Sequence, residues 1–465
     1  MNAVWAAVTA MCEREPDREI TVGAARWSMQ ELVVRAEELA ESLRIHVPEG
    51  GAITLSVDSP LGGLVGVCAA LAADRAFVPV AALGPACTAV AARVGAARHV
   101  HLSEEASAVL HTHEGVAAGT ALAGAAYAIT TSGSTGVPKV VTVDDTSLVQ
   151  RLRGLADATG FGSDHCILAM AALTFDISLV ELLLPLVAGG RIALADPFLR
   201  IDPTSLAADL QRCEVTHVQA TPSYLRLAGA TGWAPTADLA MWVGGEVLSP
   251  QLAGRLLEQD VELWNVYGPT ETTLWATADR VEDPERICIG TPLTGLDVDY
   301  MPCVDGLHEL VISGEHLSLG YLDPSRLDAA RFSTVQDDSG NPRMAYRTGD
   351  LVMLEDGVRF RGRVDDQVKI RGQRIELGGL ERVTEAHPLV HESAAVVIRT
   401  PVEDLLVVHV VAEPTLTEQE LRTWLNARLP REHAPNVISW TPRLPRTTSG
   451  KVDRRALSSP TDGAR

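Results

Sequence analysis

Ten residues constrain this chain more than any others: Thr130 to Lys139, TTSGSTGVPK, set directly after the apolar run Ala125 to Ile129. The apolar run predicts a buried strand. Behind it, glycines, Ser and Thr hydroxyls and a single lysine converge. Glycine lets backbone N–H groups approach an anion closely, the hydroxyls add donors and the lysine adds charge, which is the composition of a phosphate cradle. The spacing is not that of a Walker loop, because Gly133, Gly136 and Lys139 fall three apart and GxxxxGK[ST] is absent. A flexible surface turn has a similar composition, so this segment alone leaves both readings open.

The sequence around it alternates. Leu32, Ala36, Leu39, Ala40 and Leu43 fall at helical spacing, while Ala52 to Val57 and Arg191 to Leu194 read as short buried strands, so an α/β fold is predicted. The alanine-rich stretch 66–126 keeps enough Val, Leu and Phe for packed helices and strands. No repeat of 20 to 50 residues is present. Near the C-terminal end, GRVDDQVKIRG (Gly362 to Gly372) separates the long front part from a segment with its own pattern. There Ala394 to Ile398 and Leu405 to Val411 read as strands and Glu418 to Leu429 as a helix. The expected architecture is a large N-terminal lobe of packed α/β subdomains, 1–364, and a small mobile C-terminal α+β lobe, 365–465.

Charge and cysteine usage remove several classes. The 465 residues carry 60 acidic against 39 basic side chains, a formal charge of −21, which works against binding phosphate backbones or anionic membranes. Seven cysteines lack CxxC spacing, as expected of a reducing cytoplasm. The N-terminus has no basic signal-peptide region. The most apolar stretch, Leu179 to Ala195, is interrupted by Glu181, Pro185, a glycine pair and Arg191, so no membrane span is expected.

Five further motifs follow TSGSTGVPK in order: FDIS (Phe175 to Ser178), NVYGPTE (Asn265 to Glu271), YRTGDL (Tyr346 to Leu351), GRVDDQVKIRGQRIELGGLE (Gly362 to Glu381) and SGKVDR (Ser449 to Arg454). In this order they resemble the adenylate-forming superfamily, which includes acyl-CoA synthetases, luciferases and nonribosomal peptide synthetase adenylation domains. The resemblance is strong from about Ala125 onward and weaker before it. It implies a nucleotide site of Thr131, Ser132, Gly133, Ser134, Thr135, Gly136, Gly245, Glu246, Asn265, Val266, Tyr267, Gly268, Thr270, Asp350, Arg363 and Lys451. Within it, Asn265 and Tyr267 would flank adenine, Asp350 would hold the ribose hydroxyls, and Lys139, Arg363 and Lys451 would supply positive charge. Glu271 resembles the family's Mg2+ ligand, ATP is the implied co-substrate, and Asp365 falls at the hinge. Val140, His308 and Gly379 depart from the family pattern without removing any of these groups.

FDIS resembles the amino-acid branch, in which Asp176 would pair with the substrate α-ammonium. The pocket carried over by resemblance is Asp176, Ile177, Val180, Gln219, Trp242, Gly244, Val266, Leu274, Trp275 and Lys451. Its two tryptophans are expected to fill most of the volume, which favours glycine first and alanine second, by steric exclusion rather than attraction. The resemblance implies that the acyl group then passes to the phosphopantetheine thiol of a separate carrier protein, with a small MbtH-like accessory protein as a further candidate partner. An amide-forming or CoA-forming ligase and a catalytically silent scaffold are the rival readings. Two histidine pairs, His99 with His101 and His111 with His113, would each share a strand face, but no Cys or carboxylate in the sequence visibly completes either as a metal site.

Overall fold

The computed structural model describes residues 2–131, 139–303, 306–323, 330–336, 340–364, 367–370, 373–400, 403–429, 433–446 and 452–458. Its largest sheet has nine strands, six of them consecutive and parallel: Glu262–Tyr267, Ala240–Gly244, His217–Ala220, Cys166–Ala169, Arg191–Leu194 and Glu19–Val22. Cys166–Ala169, His217–Ala220 and Ala240–Gly244 are buried throughout, as parallel strands covered on both faces must be. Chain order reverses between Cys166–Ala169 and His217–Ala220. In such sheets the crevice beyond the carboxyl ends of the strands at this reversal is where ligands bind.

A second sheet of seven strands runs Gly320–Tyr321, Lys139–Val143, Tyr127–Thr131, Ala76–Pro79, Ala52–Val57, Arg98–Leu102, Ala108–Thr112. The strand predicted at Ala125 to Ile129 forms at Tyr127–Thr131, and its hairpin partner begins at Lys139, with Thr131 opposite Lys139. The helix predicted from Met29 spans Met29–His46 and is started by a capping box. The Ser28 hydroxyl accepts from Glu31 N at 3.1 Å, and Glu31 Oε2 accepts from Ser28 N at 2.7 Å. Such a cap is worth about 1 kcal/mol. The helix Ser178–Ala188 tolerates Pro185 in its interior and ends at Gly189, which turns with φ 87° into the strand Arg191–Leu194. The apolar stretch read from the sequence is therefore a buried helix plus a strand. No helix among the described residues is long and apolar enough to cross a membrane.

A third sheet contains Leu296–Pro302, His308–Gly314, Pro342–Met353, Phe332–Gln336 and Arg359–Arg363. Beyond it the packing changes. The hairpin Gln367–Ile370/Gln373–Glu376, the helices Leu377–Glu385 and Glu418–Asn426, and the sheet Val390–Arg399, Asp404–Ala412, Val437–Trp440 share a core of Ile370, Ile375, Leu380, Ala395, Val408, Leu421 and Ile438. A large N-terminal and a small C-terminal lobe result, as the sequence predicts.

Candidate active site

Strands of the nine-stranded sheet deliver their following residues to one crevice. A cavity of about 1060 Å³ opens there, lined by Thr174 to Ile177, Gly245, Glu246, Asn265 to Thr270, Trp275, Asp350 and Arg363. That volume accommodates a nucleotide together with a small second substrate. Ile129, Thr130 and Thr131 bring the end of the seven-stranded sheet's hairpin strand to the same wall, and Val368, Lys369 and Leu377 come from the small lobe.

One end of the cavity is polar and tightly paired. Asp350 and Arg363 stand opposite each other on adjacent antiparallel strands and form a salt bridge, with Arg363 Nη2 also donating to Thr348 O at 3.1 Å. The Tyr267 hydroxyl donates to the other oxygen of Asp350. Burial, with the Asp350 charge beside it, holds the Tyr267 phenol well above its ordinary value, so it remains a donor. On the same strand as Tyr267, Asn265 Nδ2 donates to Cys288 O at 2.6 Å. Glu246 lines the wall, but its carboxylate takes both N and Oγ of Ser223, at 3.0 and 2.6 Å, at the start of the helix Pro222–Ala230.

Asp176 is 3% exposed, and burial pushes its carboxyl up to about 6 despite a hydrogen bond from Thr270 and the charge of Lys369, with Glu271 adding to the rise. A cation placed against it would be the partner such a site lacks in water-excluded surroundings. Glu271 is fully buried and accepts the Tyr321 hydroxyl at 2.6 Å. Lys139 does not line the cavity; its Nζ meets Glu376 Oε1 of the small lobe at 3.3 Å, both side chains being buried, and lies 5.6 Å from the Tyr321 ring centre. From the small lobe, Lys369 Nζ sits 5.9 Å from the centre of the Tyr267 ring.

Around Trp275 the wall is tightly packed. Consecutive left-handed residues Thr273 (φ 64°) and Leu274 (φ 61°) bend the chain after Glu271, a conformation that side-chain-bearing residues hold only when packing enforces it. The bend folds back against Gly268, where an added Cβ would lie 2.1 Å from Leu274 O. Trp275 is thereby set against Gly244, where a Cβ would lie 2.7 Å from its Cη2 and 2.3 Å from Val266 O. The indole N–H donates to Gln219 Oε1 at 2.6 Å, and Gln219 Nε2 donates to Ile177 O at 3.0 Å and to Glu181 Oε1 at 3.1 Å. Glu181 Oε2 accepts from Met170 N and Ala171 N, each at 2.8 Å.

The structure separates the two tryptophans. Trp275 reaches the cavity, whereas Trp242 is 0% exposed and packs edge-on to Phe161 and His217, with centroids 5.8 and 5.2 Å away. Val180, Gln219, Gly244 and Leu274 likewise stand behind the wall, and Ile177 and Val266 on it. Ser132, Gly133, Ser134, Thr135, Gly136, Asp365 and Lys451 lie outside the described residues. Sequence reasoning missed Glu181, treating it only as a charge that breaks an apolar run. A lone carboxylate in SLVELLLPLVA, inside a helix otherwise fit for a core, is the signal that pointed to it.

The fold and crevice define a two-lobed α/β enzyme with a nucleotide-sized site at the switch point of a parallel sheet. The chain matches the AMP-binding enzyme family over residues 97–322 and the AMP-binding enzyme C-terminal domain over residues 379–451, and it belongs to that family. It is 38% identical over 349 residues to a dimodular nonribosomal peptide synthase of Bacillus subtilis (strain 168), a match covering 72% of this chain and 14% of that protein. Tyrocidine synthase 3 of Brevibacillus parabrevis is 32% identical over 502 residues, covering 100% of this chain and 8% of its own length. The chain thus spans a small part of the curated relatives it matches. A solved four-domain nonribosomal peptide synthetase, bound to AMP and glycine, aligns with a TM-score of 0.70 at 26% identity, covering 100% of this chain and 37% of that one.

Proposed function

We propose that this chain activates the carboxylate of a small amino acid, glycine first and alanine second, as an aminoacyl-adenylate at the expense of ATP. The observation that carries the reading is the indole of Trp275 lying against Gly244 beside the buried carboxyl of Asp176. An α-ammonium on Asp176 leaves room for little beyond a hydrogen or a methyl on the adjacent carbon. The related synthetase solved with AMP and glycine supports the same pairing of ligands.

In this reading a substrate carboxylate oxygen attacks the α-phosphorus of ATP and pyrophosphate leaves. Tyr267 and Asn265 flank the adenine, Asp350 takes the ribose hydroxyls, and Arg363 holds Asp350 in place while adding positive charge. Thr131, Gly245, Gly268 and Thr270 border the same path, Ser132 to Gly136 would contact the phosphates, and Lys139 would have to leave its ion pair with Glu376 to reach them. Lys451 stabilises charge on the carboxylate and phosphate oxygens. Glu271, buried and offering only oxygen, suits a hard divalent cation. It would hold Mg2+, which when bound offsets charge on the phosphate oxygens. The small lobe, turning at Asp365, then exchanges the groups it presents so that the phosphopantetheine thiol of a carrier protein takes the acyl group and AMP departs. A small MbtH-like accessory protein and a cytoplasmic setting belong to the same proposal.

The test is amino-acid-dependent exchange of labelled pyrophosphate into ATP across the twenty standard amino acids and β-alanine, with Lys451→Ala as control. Exchange with glycine, lost in the control, supports adenylation and the pocket together. Absence of exchange with every acid would overturn the enzymatic reading, and exchange only with a bulky acid would overturn the pocket.

A further inference from the structure

On the seven-stranded sheet, a buried cluster stands apart from every residue that lines the catalytic cavity. Cys87 lies in the first turn of the helix Pro85–Val94, His99 on the strand Arg98–Leu102, and His113 directly after the strand Ala108–Thr112. Their exposures are 2, 0 and 4%. Cys87 Sγ is 3.7 Å from His99 Nδ1 and 3.8 Å from His113 Nε2, and all three donor atoms lie within 4.8 Å of one another. The histidine pairs apparent in the sequence, His99 with His101 and His111 with His113, are therefore regrouped. One member of each meets a cysteine from a preceding helix, which corrects the expectation that no Cys completes them.

The geometry points to a tetrahedral site for a borderline-soft divalent cation, zinc, held by Cys87 Sγ, His99 Nδ1 and His113 Nε2 with the Thr54 hydroxyl at the fourth corner. Bonds of about 2.3 Å to sulfur and about 2.0 Å to nitrogen place the sulfur and nitrogen ligands of a tetrahedral zinc roughly 3.6 Å apart. The sulfur–nitrogen separations here already match that spacing. Thr54, paired with His99 across parallel strands, puts its Oγ1 3.6 Å from Cys87 Sγ and at hydrogen-bond distance, 2.9 and 2.8 Å, from His99 Nδ1 and His113 Nε2, spacings that must open by roughly 0.5 Å when the hydroxyl becomes a tetrahedral ligand. Thiolate with imidazole is the donor set that selects zinc over the hard cations.

The surroundings orient His99 as a ligand. Asp58 pairs with His101 Nε2 at 3.2 Å; in the neutral tautomer with its proton on Nε2, the other ring nitrogen of His101 accepts from the Ser56 hydroxyl at 3.0 Å. The Ser56 oxygen is then available to accept the Nε2–H of His99 at 2.9 Å, leaving the Nδ1 lone pair aimed at Thr54 and Cys87. Carboxylates and hydroxyls that fix a ligand imidazole in this way are the usual outer support of a metal site. Burial and the neighbouring imidazoles hold His99 down at about 4, so its ring is neutral, as a ligand must be. Burial raises the Cys87 thiol, which stays protonated until a cation arrives. Binding forms a metal–sulfur bond as the S–H bond breaks, and the proton leaves to solvent. The bound ion would tie the helix Pro85–Val94 to two strands of the sheet and to the residue that follows a third.

The test is metal content and cobalt spectroscopy of the full chain. After dialysis into metal-free buffer the protein is expected to retain about one zinc per chain. Exchange with Co2+ alone should then give tetrahedral visible bands and a thiolate-to-cobalt charge-transfer band. Cys87→Ser should lose that band and the zinc. A Cys12→Ser, Cys288→Ser, Cys303→Ser variant, lacking the three cysteines that are not buried, should keep both, which retains a readout if Cys87→Ser does not fold. A chelator should lower the Tm of the unmodified chain. No zinc and no charge-transfer band in the unmodified chain, survival of the band in Cys87→Ser, or its loss in the triple variant would overturn the site. The cluster would then be a hydrogen-bonded polar core.

Discussion

At one end of the cavity Tyr267, Asp350 and Arg363 are held by one another, each both lining the site and fixing its neighbour. At the other end Trp275 is held from behind, by Gln219 and through it by Glu181, neither of which lines the cavity. In the proposed reading the first end recognises by charge and hydrogen bonding, where a lost group removes a buried group's partner, and the second by excluded volume, where a lost group only leaves space. Chemical recognition should therefore fail steeply and without changing preference, while steric recognition should fail mildly and by changing preference.

Asp350→Ala is the most damaging change this contrast predicts. It removes the carboxylate that pairs with the largely buried Arg363 guanidinium, so unfolding free energy should fall by roughly 3 kcal/mol in denaturant melts. The kcat/KM for ATP should fall more than about 100-fold while the ratio of glycine to alanine activity stays fixed. A changed ratio would break the separation of the two ends. Asp176→Asn should lower kcat/KM for glycine by about 3 kcal/mol, roughly 100-fold, with the KM for ATP nearly unmoved. Because Asp176 is raised to about 6, its carboxylate form is lost as pH falls through that value. The KM for glycine should then rise roughly tenfold for each further pH unit in the unmodified enzyme, and flatten in Asp176→Asn.

The two ends were not equally legible in the sequence. Asn265, Tyr267, Asp350 and Arg363 could be named because they sit in short ordered motifs that resemble those of the adenylate-forming superfamily. Asp176 came from FDIS on the same ground. At the steric end the sequence named both Trp242 and Trp275, with Trp275 set at the pocket floor; the left-handed turn at Thr273 and Leu274 brings Trp275 to the cavity, and no residue type announces that turn. Glu181 escaped because its role depends on Gln219, which lies on the strand His217–Ala220, far along the chain from the helix that carries Glu181. Cys87 escaped for a similar reason: it reaches His99 and His113 only once helix and sheet have packed. Secondary structure was easier, since the helical spacing of Leu32, Ala36, Leu39, Ala40 and Leu43 and the apolar runs Ala52 to Val57 and Arg191 to Leu194 are local.

Milder changes sharpen the steric half. Trp275→Leu opens space without stranding a charge, so alanine should gain on glycine by roughly 10-fold or more in kcat/KM, the range available to one methyl group. Glu181→Gln keeps the shape but turns an amide toward the Gln219 amide, loosening the indole. Glycine preference over alanine should relax by less than about fivefold, within the cost of one neutral hydrogen bond. A larger loss of preference from Glu181→Gln than from Trp275→Leu would contradict the account of which residue excludes and which merely supports.

The most direct measurement is kcat/KM for glycine, alanine and leucine in pyrophosphate exchange by the unmodified chain. The account predicts glycine highest, alanine weaker and leucine at background, because the Trp275 indole on the cavity wall is proposed to exclude a branched side chain. Leucine exchanged as well as glycine would show that Trp275 does not close the pocket, and the central claim would fall.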